Sequence, residues 1–126
     1  MAYIVGVHVV VESPDFAADA KAAGLEDEDL RGIIDHLARR PDAGDVISGT
    51  GGARKVRFAG RGKGKSGGYR VITFYSGASL PVFLLAVFGK GTKVDPTRAE
   101  KNELRKELAG LVEDYRRGAR SHVRSR

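Results

Sequence analysis

Two strand-like runs separated by a cationic, glycine-punctuated tip constrain this chain more than any other feature. Lys55-Val56-Arg57-Phe58-Ala59 alternates charged and apolar residues, and Arg70 to Tyr75 is rich in β-branched and aromatic residues. Between Arg54 and Arg70 stand seven cations (Arg54, Lys55, Arg57, Arg61, Lys63, Lys65 and Arg70) with no acid among them. Gly60, Gly62, Gly64, Gly67 and Gly68 are interleaved with the charges, which suits a long hairpin tip and works against a helix. Fixed strands presenting unopposed cations fit a polyanion, above all a nucleic-acid backbone. The plainer reading is a solvated basic loop that binds nothing.

The rest of the chain supplies a scaffold for that hairpin. Residues 3–11 are apolar and valine-rich, as in a strand buried on both faces and central in a sheet. Ser13-Pro14-Asp15 reads as a helix start, with a capping hydroxyl, a proline at the first helical position and an acid at the positive helix end. Phe16, Ala20 and Ala23 share one face, and Gly24 ends that helix. A second helix is predicted over about residues 26–40. Its first turn is acidic and its last basic, and Leu30, Ile33, Ile34 and Leu37 form its apolar stripe. Pro41 stops it. The stretch 42–52 is turn-rich. Leu80 to Phe88 is a further apolar strand, with Pro81 near its start.

Asp95-Pro96 is expected to open a last helix, with Leu104, Leu108, Leu111, Val112 and Tyr115 as its stripe and Gly118 as its stop. Residues 1–118 then form one domain, followed by a short basic tail, 119–126. The order of elements predicts an α+β fold: a mostly antiparallel sheet packed against N-terminal helices, with a C-terminal helix. Period-two spacing predicts Val56, Phe58, Ile72, Phe74, Leu84 and Ala86 on one sheet face under the helices.

Charge is divided along the sequence. Residues 1–50 carry four Lys/Arg against ten Asp/Glu, whereas residues 51–126 carry eighteen against six. One basic face for a polyanion, with acid elsewhere, accounts for this. The absence of cysteine removes disulfides and thiolate metal sites and fits a cytoplasmic protein. No apolar run approaches the roughly 20 residues of a membrane helix, and the N-terminal run lacks a basic leader and cleavage site, so neither a membrane location nor a signal peptide is expected.

The chemistry open to these residues is narrow. Residues 59–66, AGRGKGKS, approximate a phosphate-binding loop, but Ala59 replaces the first glycine, and Gly67-Gly68-Tyr69 leads into a strand where that motif opens a helix. No metal-ligand spacing and no Ser/His/Asp arrangement is visible, so no cofactor is expected. His8 reads as a satisfied core residue and His36 as a boundary residue. A reaction run by Lys, Arg and the substrate alone is RNA cleavage by its own 2′-hydroxyl. There the protein aligns the nucleophile, stabilises developing negative charge and moves protons. Arginine offers bidentate donors to phosphate, and a lysine crowded by cations gives up its proton more readily.

The run DVISGTGGARKVRFAGRGKGKSGGYRVITFY, followed by FLLAVFGKG and a terminal helix, resembles HigB-like toxins of the RelE/ParE superfamily, phage-derived components of type II toxin–antitoxin systems. The resemblance covers roughly residues 42–117. It implies a microbial-RNase-like fold, ribosome-dependent mRNA cleavage and neutralisation by a helix-turn-helix, HigA-like antitoxin. It places the family's catalytic arginine at Arg70, its strand lysines near Arg61, Lys63 and Lys65, and a further basic residue at Lys90. Arg54, Lys55, Arg57 and Arg61 become RNA contacts, and Tyr69 a base-stacking or core residue. Two departures stand out. Gly91 occupies a position that is often arginine, and the family's C-terminal catalytic tyrosine has no counterpart, since Thr97 stands close by and Tyr115 lies too far along the helix. Two other functions fit the same residues: a ParE-like gyrase poison, and a non-enzymatic nucleic-acid-binding phage accessory protein.

Overall fold

A computed structural model describes residues 8–59, 68–77, 80–89 and 96–124, with side chains as far as Gly118. The chain runs β1 (Val10–Glu12), α1 (Pro14–Ala23), α2 (Asp27–Arg39), β2 (Asp45–Val46), β3 (Ala53–Ala59), β4 (Gly68–Tyr75), β5 (Val82–Gly89) and α3 (Arg98–Arg124). The five strands form one sheet in the order β1-β5-β4-β3-β2. All pairings are antiparallel except β1 with β5. The α+β architecture expected from the sequence is the one observed.

Local chemistry explains the helix ends. The Ser13 hydroxyl accepts from the Phe16 amide at 3.1 Å, and its own proton goes to the Leu85 carbonyl at 3.3 Å, so the cap also ties α1 to β5. Gly24 takes the left-handed conformation that closes α1. Glu26 and Asp29 form a reciprocal capping box at the start of α2.

The last helix differs from expectation at both ends. Its cap is Thr97, whose hydroxyl accepts from the Glu100 amide while Glu100 accepts from the Thr97 amide. Thr97-x-x-Glu100 satisfies two orphan donors at once, which outweighs the simpler Asp-Pro signal upstream. Gly118 is not a stop, because α3 continues through it to Arg124. A lone glycine costs a helix only about 1 kcal/mol, and arginine and alanine on either side favour its continuation.

Each face of the sheet carries its own core. Phe16, Ile33 and Leu37 of α1 and α2 pack with Val56, Val71, Val82, Leu84 and Val87. Leu108 of α3 packs with Ala53, Ile72, Phe74 and Phe83 on the other face. The single-face expectation is therefore corrected: Val56, Phe58 and Leu84 lie under α1 and α2, whereas Ile72, Phe74 and Ala86 lie under α3.

Two registers account for this. Across the hairpin Val56 pairs with Val71, and Ile72 pairs with Lys55. Between β4 and β5, Ile72 pairs with Ala86 but Thr73 pairs with Leu84, leaving Leu85 unpaired in a bulge. One extra residue reverses the alternation along β5. The position of β1 is also corrected. Among the described residues it pairs with β5 alone and stands at the sheet edge, while residues 3–7 of the expected strand lie outside the described residues. Its valines are apolar because Val10 meets one core and Val11 the other, a two-sided burial that does not require a central place.

The sharp link from α2 into β3 depends on Gly44 and Thr50. At Gly44, φ is +93°, and a Cβ there would stand 2.5 Å from the Lys55 carbonyl oxygen. Thr50 is fully buried. Its hydroxyl donates to the Ile47 carbonyl at 2.7 Å and accepts from the Ala53 amide at 3.0 Å, pinning the turn between β2 and β3.

Candidate functional site

The site is built from the ends of β3 and β4 nearest the hairpin tip. Arg57 and Arg70 are direct cross-strand partners, so their side chains leave the same sheet face. That is the α3 face, because Arg70 alternates with Ile72 and Phe74. Lys55 lies two residues along on the same side, opposite Ile72. Arg57 is exposed and Arg70 is half-buried. Among the described residues, no carboxylate pairs with either guanidinium. Like charges placed directly opposite on a sheet repel each other. An anion lying across both arginines would offset that repulsion.

The backbone of Arg70 is held on both sides. Its strand β4 is central, and Arg70 is paired with Arg57 on one side and Phe88 on the other. The root of the side chain is therefore held before any ligand arrives, and pre-organisation of this kind gives electrostatic stabilisation its effect.

The remaining candidates separate. Arg54 lies on the opposite face, where one guanidinium nitrogen donates to the carbonyls of Asp42 at 3.0 Å and Gly44 at 3.2 Å. That ties down the turn before β2. Tyr69 packs against the α1/α2 core, also away from Arg70. Its phenol is held above the usual tyrosine range by burial first, then by Asp29 and Glu26. The pH at which Tyr69 ionises thus moves further from neutrality, which disfavours it as a base. Arg61, Lys63, Lys65, Lys90 and Gly91 lie outside the described residues. Thr97 is engaged as the α3 cap, and Tyr115 rests edge-on against Phe83 at 5.7 Å. His8 donates or accepts with the Tyr75 hydroxyl at 3.2 Å, and the exposed His36 ring meets Phe58 edge-on.

A model of the RelE toxin of RelE/RelB toxin–antitoxin systems matches residues 10–120. The chain belongs to the RelE toxin family. The match runs from β1 into the C-terminal part of α3 and takes in the whole sheet, α1, α2 and most of α3. Membership of this toxin family implies an antitoxin partner. Among the described residues, no helix is long and apolar enough to cross a membrane, and no group of three or more His, Cys, Asp or Glu side chains is placed to hold a metal ion.

Sequence reasoning missed the pairing of Arg57 with Arg70, because a long glycine-rich tip leaves the hairpin register open. The structural role of Thr50 was legible in hindsight from a threonine set among three glycines at turn positions. The Arg57–Arg70 pair has a measurable signature. Arg57→Gln is expected to raise the melting temperature at low salt by about 1–5 °C, because it removes a cross-strand repulsion. The gain should shrink in high salt as the charges are screened. Thermal melts at two ionic strengths check this, and a lower melting temperature would show that Arg57 is a stabilising contact.

Proposed function

We propose that this RelE-family chain is a HigB-like mRNA endonuclease that acts at the ribosomal A site and arrests translation in the cytoplasm. The observation that carries the reading is the Arg57–Arg70 pair: two cross-strand arginines on one sheet face, with no carboxylate paired to either among the described residues, at the root of a hairpin rich in further cations. Arg70 contacts the scissile phosphate and stabilises the charge that builds up there. Lys63 or Lys65 assists proton transfer, and Lys90 adds a second phosphate contact. Lys55, Arg57 and Arg61 engage RNA backbone, message or ribosomal, for which the strongly basic balance of residues 51–126 is suited. Arg54 and Tyr69 contribute from the other side of the hairpin by holding its shape.

The reaction balances without an external nucleophile. The 2′-oxygen forms a bond to phosphorus as its proton passes to a base, and the bond to the 5′-oxygen breaks as that oxygen takes up a proton. The products are a 2′,3′-cyclic phosphate and a 5′-hydroxyl. The ribosome's part is to present the message in a bent conformation that aligns the 2′-oxygen.

The test is primer extension on transcripts bound to stalled ribosomes, with the product ends identified chemically. Cuts that require the ribosome and leave 5′-hydroxyl ends are expected. Intact transcripts, or ends carrying 5′-phosphate, overturn the reading. Intact transcripts with induced DNA damage would point instead to a gyrase poison.

A further inference from the structure

One concavity of the molecule, a groove of about 780 Å³ between α1 and α3, is rimmed by Asp15, Asp19, Glu100, Glu103 and Glu107, a setting unsuited to an RNA backbone. A second, of about 190 Å³, lies on the other face of the sheet, at the root of the cationic hairpin. Phe58, Ala59 and Tyr69 of the two strands line it together with Asp29, Gly32 and His36 of α2. Sites that enclose a whole drug-sized ligand run to roughly 300–1,000 Å³, so this one is sized for a single planar base.

Two adjacent rungs of the hairpin present different chemistry. Arg57 pairs with Arg70 on the α3 face, and Phe58 pairs with Tyr69 on the α2 face. Guanidinium groups suit phosphate, whereas half-buried aromatic rings suit the face of a base. Phe58 and Tyr69 are both half-buried, and His36 meets Phe58 edge-on at 5.4 Å. Asp29 supplies the carboxylate. Its Oδ2 accepts from the Glu26 amide at 3.0 Å, which fixes the group and, among the described residues, leaves Oδ1 free to accept. The Tyr69 phenol is held above the usual tyrosine range by burial, then by Asp29 and Glu26, so its hydroxyl keeps a proton to donate. The two faces are also connected. Among the described residues β2 covers β3 only at Arg54 and Lys55, so a nucleotide chain can pass around the outer edge of β3 at residues 57–59.

We propose that this pocket binds one unpaired guanine of RNA, with the base against the Phe58 ring, Asp29 accepting from its N1 and N2 donors and the Tyr69 hydroxyl donating to O6; the proposal rests on the RNA-cutting reading above. Guanine is the base whose Watson–Crick edge carries two adjacent donors. Adenine turns the lone pair of N1 toward the carboxylate, uracil flanks its one donor with carbonyls, and cytosine sets an acceptor nitrogen beside its amino group. A fixed carboxylate therefore selects guanine by repelling the other bases as well as by attracting this one. A message or a ribosomal loop can supply such a base, and its flanking phosphates stay outside on the hairpin cations.

The probe is a fluorescein-labelled oligouridine carrying one central guanosine, titrated with the full chain and followed by fluorescence anisotropy. Matched oligonucleotides carry adenosine or uridine at that place. The parent chain should bind the guanosine probe about tenfold more tightly than either. Asp29→Asn keeps a side-chain oxygen for the Glu26 amide, so α2 stays capped. It should bring the preference close to one, while affinity for plain oligouridine holds or rises because a negative charge has gone. Gly32→Leu adds a side chain where a Cβ meets nothing within 4 Å. It should lose the preference by narrowing the pocket, and melt no lower than the parent, because leucine favours a helix. Those outcomes together support the proposal. Equal binding of the three oligonucleotides by the parent, or a preference retained in either variant, overturns it. Tighter capture of N-acetylarginine amide than of guanosine monophosphate would assign the pocket to a protein side chain and also overturn it. Cut mapping on programmed ribosomes then names the source of the base. A message guanine shows as loss of a guanine bias near the cuts in Asp29→Asn, a ribosomal one as a uniform loss of cutting, and no change of either kind overturns the proposal. Absence of cutting by the parent chain refutes the nuclease reading alone, because the titration uses no ribosome.

Discussion

An Arg70→Ala variant should lose about 10²–10³-fold in ribosome-dependent cutting while keeping its fold, the usual cost of removing one well-placed donor from a developing negative charge. Two features make the loss specific to chemistry. Arg70 sits on the central strand with backbone partners on both sides, so alanine leaves the sheet ladder intact. The change also removes one of two like charges facing each other, so thermal stability should hold or rise. Arg70→Lys keeps the charge but gives up the bidentate fork, and should recover only part of the rate. Single-turnover cutting on programmed ribosomes, read beside a thermal melt, separates these terms. A variant that cuts normally would remove Arg70 from the mechanism while leaving the family and fold untouched. A variant that melts far below the parent would instead mark Arg70 as a folding residue.

How much of this could be read from the sequence depended on whether the signal was local. The caps of α1 and the stripe of α2 are set by neighbours within one or two turns, and Ser13-Pro14, Gly24 and the Ile33/Leu37 spacing expressed them directly. The cations of the hairpin were equally visible, because charge and glycine content need no partner to be recognised. Pairing was a different matter. Which face Ile72 and Phe74 occupy depends on a hairpin register that a flexible tip does not specify, and the face of Ala86 depends on a bulge at Leu85 with no residue signature of its own. The acidic groove was hidden for the same reason. Asp15 and Asp19 belong to one end of the chain and Glu103 and Glu107 to the other, and each alone is an ordinary solvated helix face. Only the parallel placement of β1 beside β5 brings α1 alongside α3's sheet face. The site thus combines a legible part, the cations, with a part that tertiary packing creates.

The helix that supplies half of that groove hangs on one side chain. Phe16 and Ala20 are the only buried residues of α1, and Phe16 is fully buried against Ile33, Leu37 and the valines of β4 and β5. The rest of the helix is mostly alanine and charge, which contribute little apolar area. Phe16→Ala should therefore cost about 3–5 kcal/mol. Against a typical domain stability of about 5–15 kcal/mol, that is enough to bring the chain near its unfolding midpoint when warmed. Urea unfolding measures the loss, and Phe16→Leu, which keeps most of the volume, should lose less than half as much. A cost below about 1 kcal/mol for the alanine variant would mean that α1 is held by its cap on β5 more than by its core contact. The functional consequence follows from placement. Asp15 and Asp19 flank Phe16 on α1, whereas Arg57 and Arg70 stand on β3 and β4. At a temperature where the variant is still folded, mRNA cutting should persist. Loss of cutting there would show that α1 braces the catalytic face as well, although its core lies on the other side of the sheet.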